Sequence, residues 1–528
     1  MVPGNFPRTL YNPGPVLTEP IRELLAEVAR HTADEKPQSG TILEINGIVS
    51  AAATLYEKVR YLVDYREEHT IRRAAIERIL KRHVLIEKRV VDGTALLQEL
   101  VESQYLPKEF ATDELVESVD KTLKRYIQLQ YLSGRKRDTA RVLLSLAATE
   151  VESHISVHEY AVDSASVEAL YKVVRPHIVL GGYSEEQIDV QVFCASRRAL
   201  LSSDDAALRY ALWLMFVPEW LEGEVNADEL AGRLSTIFAG IEHAITHPIQ
   251  WQIAQRIKNE SICFRIIREI LMQKYSEAPG ILSSPERLDA FTRDFLGKKY
   301  ERENERIQSS GIRAVIYLLV TKMAAALAIE LPYEMYVLGS IHYVPLAINL
   351  LFHPLLLFAL TRRVRALGEH NTELILKGLH RILYEGRGRT IRVYAQYTRF
   401  TRFFGFFYAV LFLGVFGAII TALQFLEFNF VGGALFLLFL AFVSYFAYRI
   451  RYNARRWRIS GSETTIALVA NMLAVPVIRA GRWLSQTFSS VNIFVMVMDF
   501  LIETPFKLIL SFSHQFILYL KEKADEVY

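Results

Sequence analysis

Two uncharged apolar runs, Phe406–Phe425 (FFYAVLFLGVFGAIITALQF) and Phe430–Tyr448 (FVGGALFLLFLAFVSYFAY), lie four residues apart. At about 1.5 Å per residue, each is long enough to span a hydrocarbon core of roughly 30 Å. Lipid offers the backbone no hydrogen-bond partner, so each run must be helical. The short break Leu426-Glu427-Phe428-Asn429 makes the two helices antiparallel neighbours. Arg389, Arg392, Arg399 and Arg402 precede the pair, Arg449, Arg451, Arg455, Arg456 and Arg458 follow it, and the turn holds only Glu427. The positive-inside rule then puts both ends in the cytoplasm.

A second pair, Ile312–Leu331 and Val344–Leu360, repeats the signature less cleanly. Its connecting segment, Pro332–Tyr343, carries Glu334 and no Lys or Arg, while Arg362, Arg363 and Arg365 follow the pair. Tyr333, Tyr336 and Tyr343 are placed as an interfacial belt. The first helix of this pair has Lys322 at its middle. A lysine at that depth costs about 2.5–3.5 kcal/mol on insertion scales, which marks it as functional or paired. Glu330 on the same face, Glu334 in the following loop, and Asp499 and Glu503 near the C-terminus are the candidate partners.

Charge is split along the chain. Up to Gly311 there are 39 Lys+Arg against 46 Asp+Glu, and from Ile312 onward 22 against 12. The basic half is also the apolar half, as expected where loops face anionic headgroups. Two cysteines, Cys194 and Cys263, argue against a disulfide framework and an oxidising compartment. Met1–Pro20 has five prolines and no apolar run of signal-peptide length, so the N-terminal half is expected to remain cytosolic.

That half reads as helix throughout. Thr18 before Pro20, Thr112-Asp-Glu, Ser184-Glu-Glu-Gln187, Asn226-Ala-Asp-Glu229 and Ser284-Pro-Glu are helix starts. Apolar residues recur every three to four positions from Leu55. The expected fold is all-α, with an irregular tail (1–17), a large cytosolic helical domain (18–308) and a first transmembrane hairpin (312–361). A basic cytosolic connector (362–404), a second hairpin (405–449) and C-terminal amphipathic, interfacial helices (450–528) complete it. Within the connector, Asn371–Tyr384 is expected as a helix near the membrane. In the last segment Val491–Leu520 carries Asp499, Glu503 and Lys507 as one polar stripe.

No phosphate loop, HExxH, GxSxG, CxxC or EF-hand pattern is present, which lowers the expectation of an enzyme. The metal-ligand candidates are Glu150, His154 and His158 at helical spacing, and the pair His243 and His247. Arg387, Arg389, Arg392, Arg399, Arg402, Arg449, Arg451, Arg455 and Arg456 are placed to meet anionic lipid headgroups, and no cofactor is implied. Gly414, Gly417 and Ala418, with Gly432-Gly433, suit close helix packing within the chain or in a homo-oligomer. The expected function is a scaffold or adaptor in the plasma (inner) membrane, with cytoplasmic termini, a protein partner and no nucleic acid. A transporter or channel component using Lys322 with Asp499 and Glu503 is the first alternative, and a metal-dependent or lipid-modifying membrane enzyme the second.

Overall fold

The computed structural model describes residues 16–33, 68–134, 136–223, 225–362, 368–386, 391–392, 401–454, 457–459 and 465–490. The chain divides into two compact units, the first comprising Met1–Asp294 with Asn371–Gln396, the second Phe295–His370 with Tyr397–Tyr528.

The first unit is built of short amphipathic helices, and its N-terminal signals act as read. Thr112 accepts from the Leu115 amide at the start of Asp113–Leu132. Ser184 and Gln187 form a reciprocal capping box at the head of Glu185–Leu201. Asn226 caps Ala227–Thr246. The alternating stretch Ile188–Phe193 lies inside a helix, because the cap decides the local conformation. Trp213, Tyr126 and Phe264 are among the largest wholly buried side chains. The only paired strands among the described residues are two residues each, Ile178–Val179 beside Ile391–Arg392. The helix expected from Leu55 is described from Glu68 onward, and the residues before it lie outside the described ones.

Asn371–Tyr384 is helical as expected, and its apolar side belongs to the first unit's core. Helix Glu369–His380 and the turns after it bury Ile375, Leu376, Leu379, Ile382 and Leu383. Gly378 sits so close to Cys263 that an added Cβ would lie 2.7 Å from its sulfur. Around this contact Arg293 pairs with Glu373 and His380 with Asp289, and Thr18 donates from its amide to the Leu383 carbonyl at 2.8 Å. The physical reason is the pattern Ile375-Leu376-Leu379-Leu383, an apolar stripe that needs a protein surface to cover it.

The second unit holds four helices long and apolar enough to cross a membrane, within Pro285–Leu338, Tyr343–Leu360, Gly405–Phe425 and Phe430–Tyr448. The first differs from its expected outline. Helical structure continues beyond Leu331 through wider turns at Ala326–Glu330 and Glu334–Leu338, ending at Gly339, whose φ of +69° is the left-handed value glycine takes freely. Glu334 is therefore on a helix rather than in a loop. The fourth helix packs on Tyr343–Arg362 and on the helix Thr465–Ser490, and the third makes its main contacts with Thr465–Ser490. Closest approach is at Gly481, where a Cβ would fall 2.0 Å from the Ala441 carbonyl oxygen. Gly414, Gly417 and Gly433 face open space, whereas Gly432 of the same set lies close against Glu330 of the first helix. The amphipathic helix expected over Val491–Leu520 lies outside the described residues.

The inserted helix yields a stability prediction. Each of its buried leucines and isoleucines is worth about 1.5–3 kcal/mol, against a typical domain total of about 5–15 kcal/mol. A fragment of residues 16–294 should therefore unfold at much lower denaturant than the same fragment joined by a short linker to 368–396. Coincident unfolding curves would show that the helix adds nothing to the core.

Candidate functional site

The first two and the fourth apolar helices enclose a polar cluster inside the second unit. Lys322 is 4% exposed, Glu330 2%, Asn349 2%, and Glu334 and His353 are fully buried. His353 stands ten residues beyond Tyr343, about 15 Å along the helix at about 1.5 Å per residue, near the middle of a helix long enough for a core of roughly 30 Å.

An ammonium has three N–H groups, and Lys322 finds an acceptor for each. The Asn349 carbonyl oxygen lies at 2.5 Å, the Asn349 side-chain oxygen is a second acceptor, and His353 Nδ1 lies at 3.0 Å. The Phe439 ring faces the ammonium at 4.7 Å, in the range for a cation–π contact. The histidine's other nitrogen sets its tautomer. His353 Nε2 is 3.0 Å from the Phe436 carbonyl oxygen and can only donate there, which leaves Nδ1 as the acceptor for Lys322.

Asn349 carries the link to the acids. Its Nδ2 donates to both Glu330 oxygens, at 3.1 and 2.9 Å, while its Oδ1 accepts from Lys322. One amide thus bridges ammonium and carboxylate. Gly432 makes room for this: a Cβ there would lie 2.7 Å from Glu330 Oε1. Glu334 accepts from the His342 amide at 2.8 Å and from Asn429 Nδ2 at 2.7 Å. Asn429 in turn accepts from the Gly432 amide at 2.7 Å, so one side chain caps the fourth helix and holds a carboxylate. Both acids stand near the positive end of that helix. The cavity beside Lys322, Glu330, Asn349, Leu435 and Phe439 has a volume of about 10 Å³, at the lower limit for one water.

Magnitudes favour a charged, satisfied lysine over one reaching for the surface. Hydrogen bonds to a charged group are worth about 1.5–3 kcal/mol each, and three of them offset the insertion cost of about 2.5–3.5 kcal/mol.

The other candidates fall differently. Asp499 and Glu503 lie outside the described residues. Glu150, His154 and His158 do not share one helix face, because the helix breaks at Ser156 between Arg137–Ile155 and Val157–Val174. Glu150 accepts from Tyr126 Oη at 2.7 Å and Trp220 Nε1 at 2.8 Å, and so is spent as a core acceptor. Burial, opposed by the nearby Glu150 charge, holds His154 below the usual imidazole range. The rings of His158 and Tyr275 stand edge to face. His243 and His247 face one another with ring centres 5.9 Å apart, and burial lowers His247 first, with the His243 charge adding to it. No group of three or more His, Cys, Asp or Glu placed to hold a metal occurs among the described residues. Of the headgroup arginines, Arg402 opens the third helix, Arg449 and Arg451 close the fourth, and Arg392 is in the short strand pair. Arg387, Arg389, Arg399, Arg455 and Arg456 lie outside the described residues.

Asn349, His353 and Asn429 were not foreseen from sequence. The signal was available for two of them: Asn349 and His353 are the only polar side chains in Val344–Leu360, at i, i+4 and so on one face. Compared with known proteins, the chain matches no family model, no curated protein and no solved structure.

Removing one partner of a buried charge set is costly because the other is left unpaired, by about 3–5 kcal/mol. Lys322→Met should destabilise the detergent-solubilised chain on that scale in thermal or denaturant unfolding. Combining it with Glu330→Gln should cost less than the two single changes added together. Additive losses would mean that the two groups do not interact.

Proposed function

We propose that the protein is a membrane-anchored scaffold or adaptor, with the first unit as its partner-binding part and the four apolar helices as its anchor. The orientation that goes with this reading has the first unit and both termini in the cytoplasm, at the plasma (inner) membrane, and it rests on the placement of arginine around the spans. The observation that carries the anchor is the outward share of the apolar surface. In the eighteen-residue apolar windows of the four helices only 11, 28, 6 and 28% of residues are buried within the chain. Such surface suits lipid, as side chains lining a water-filled path would not. On the first unit, Trp251 is 55% exposed beneath the Arg198 guanidinium, 4.5 Å from its ring centre, the kind of residue pair on which protein interfaces concentrate binding energy.

A transporter or channel component is the second reading, favoured by one observation, the Lys322 cluster at mid-depth. Two measurements separate them. A photo-crosslinking residue at position 251, in cells, should give a discrete protein adduct, and liposomes holding the full chain should leak ions no faster than empty ones. Flux that Lys322→Met abolishes, with no adduct at 251, would replace the scaffold by a transporter. Orientation is read in the same cells, since Cys194 and Cys263 are buried and Ser340→Cys should be the cysteine labelled from outside.

A further inference from the structure

Among the described residues, the charges of the cluster do not sum to zero. Lys322 contributes one positive charge and Glu330 and Glu334 one negative each. His353 is neutral, since its Nδ1 accepts from Lys322 while its Nε2 donates to a carbonyl. His342, whose amide donates to Glu334, has a buried Nδ1 with no hydrogen-bond partner among the described residues. The fourth helix adds only the Phe436 and Gly432 carbonyls, the Phe439 ring and the polar Asn429. Among the described residues one negative charge is left over, and inside a bundle of apolar helices an ion without a counter-charge is more costly than its neutral form.

We propose that the cluster is a proton-binding site and that Glu330 takes up the proton. The choice between the acids follows from their partners. Glu334 accepts a backbone N–H and the Asn429 amide on separate oxygens, so each of its oxygens already has its own donor. Glu330 has a single Asn349 amide group shared across both oxygens and reaches the Lys322 ammonium only through it. The choice of a proton over a metal cation follows from the same contacts. Asn349 turns its donor, not its oxygen, toward Glu330, and a cavity of about 10 Å³ leaves no space for a metal ion with its oxygen shell. On protonation, the Glu330 carboxylate gains an O–H and one oxygen becomes a poorer acceptor for Asn349. That weakens the bridge to Lys322 without breaking the lysine's own three contacts.

The test is infrared spectroscopy of the full chain in lipid nanodiscs, in heavy water, comparing mildly alkaline with mildly acidic buffer. A carbonyl band of a protonated carboxylic acid should grow on acidification, vanish in Glu330→Gln and persist in Glu334→Gln. A second variant guards against a poorly folded Glu330→Gln. Lys322→Gln keeps both acids and removes the counter-charge, so the band should rise about two-fold as a second carboxyl takes a proton. A band indifferent to Glu330→Gln, one that follows Glu334 instead, or one unchanged by Lys322→Gln overturns the proposal. So does a band that sodium ions suppress at constant pH, since the site would then belong to a metal cation.

Discussion

An ammonium in hydrocarbon has no water to fall back on, so every one of its protons must be met by the protein. In this chain all three are met by two residues of one neighbouring helix, Asn349 and His353, spaced so that both face the same side. Much of the membrane part follows from that demand. The histidine must keep its Nδ1 free, which requires an acceptor for Nε2, and the fourth helix supplies the Phe436 carbonyl. The asparagine has a donor to spare, which requires a carboxylate, and Glu330 fills that place against Gly432. Three helices are thus tied together by polar contacts where apolar burial gives no net drive for association.

The first unit meets the opposite problem, since in water a helix is stable only when its apolar stripe is covered. Its answer is topological. The helix Glu369–His380, which follows the second apolar helix in the chain, belongs to the same compact unit as the N-terminal helices. Cys263 against Gly378 marks how tightly it is seated, and the burial of Leu379 and Leu383 shows what it contributes. Its contacts with Thr18 and Asp289 join it to both ends of the N-terminal segment.

Local signals were the legible part. Thr112, Ser184 and Asn226 are helix starts that can be read because a cap is a contact between residues three apart. Four apolar helices could be read because a bilayer sets one length for all of them. What sequence hid was any pairing across the chain. Lys322 stood out by its cost, but its partners are neutral, and neither an asparagine nor a histidine in an apolar run announces which cation it serves. The helical-spacing argument for Glu150, His154 and His158 failed at Ser156, where a single residue with φ −116° and ψ +50° separates two helices. The stripe of Ile375, Leu376 and Leu379 was legible as an apolar face, but its covering surface was not, because that surface lies more than a hundred residues away at Cys263.

The central claim is that Lys322 is buried and held by Asn349 and His353 at mid-membrane. An electron cryomicroscopy structure of the full chain in a lipid nanodisc tests it most directly, because side chains and lipid density are seen together. The account predicts Lys322 Nζ within hydrogen-bonding distance of both Asn349 and His353, at a level midway between the two headgroup layers. Lys322 extended to a headgroup layer, or the three residues separated by water, would contradict it.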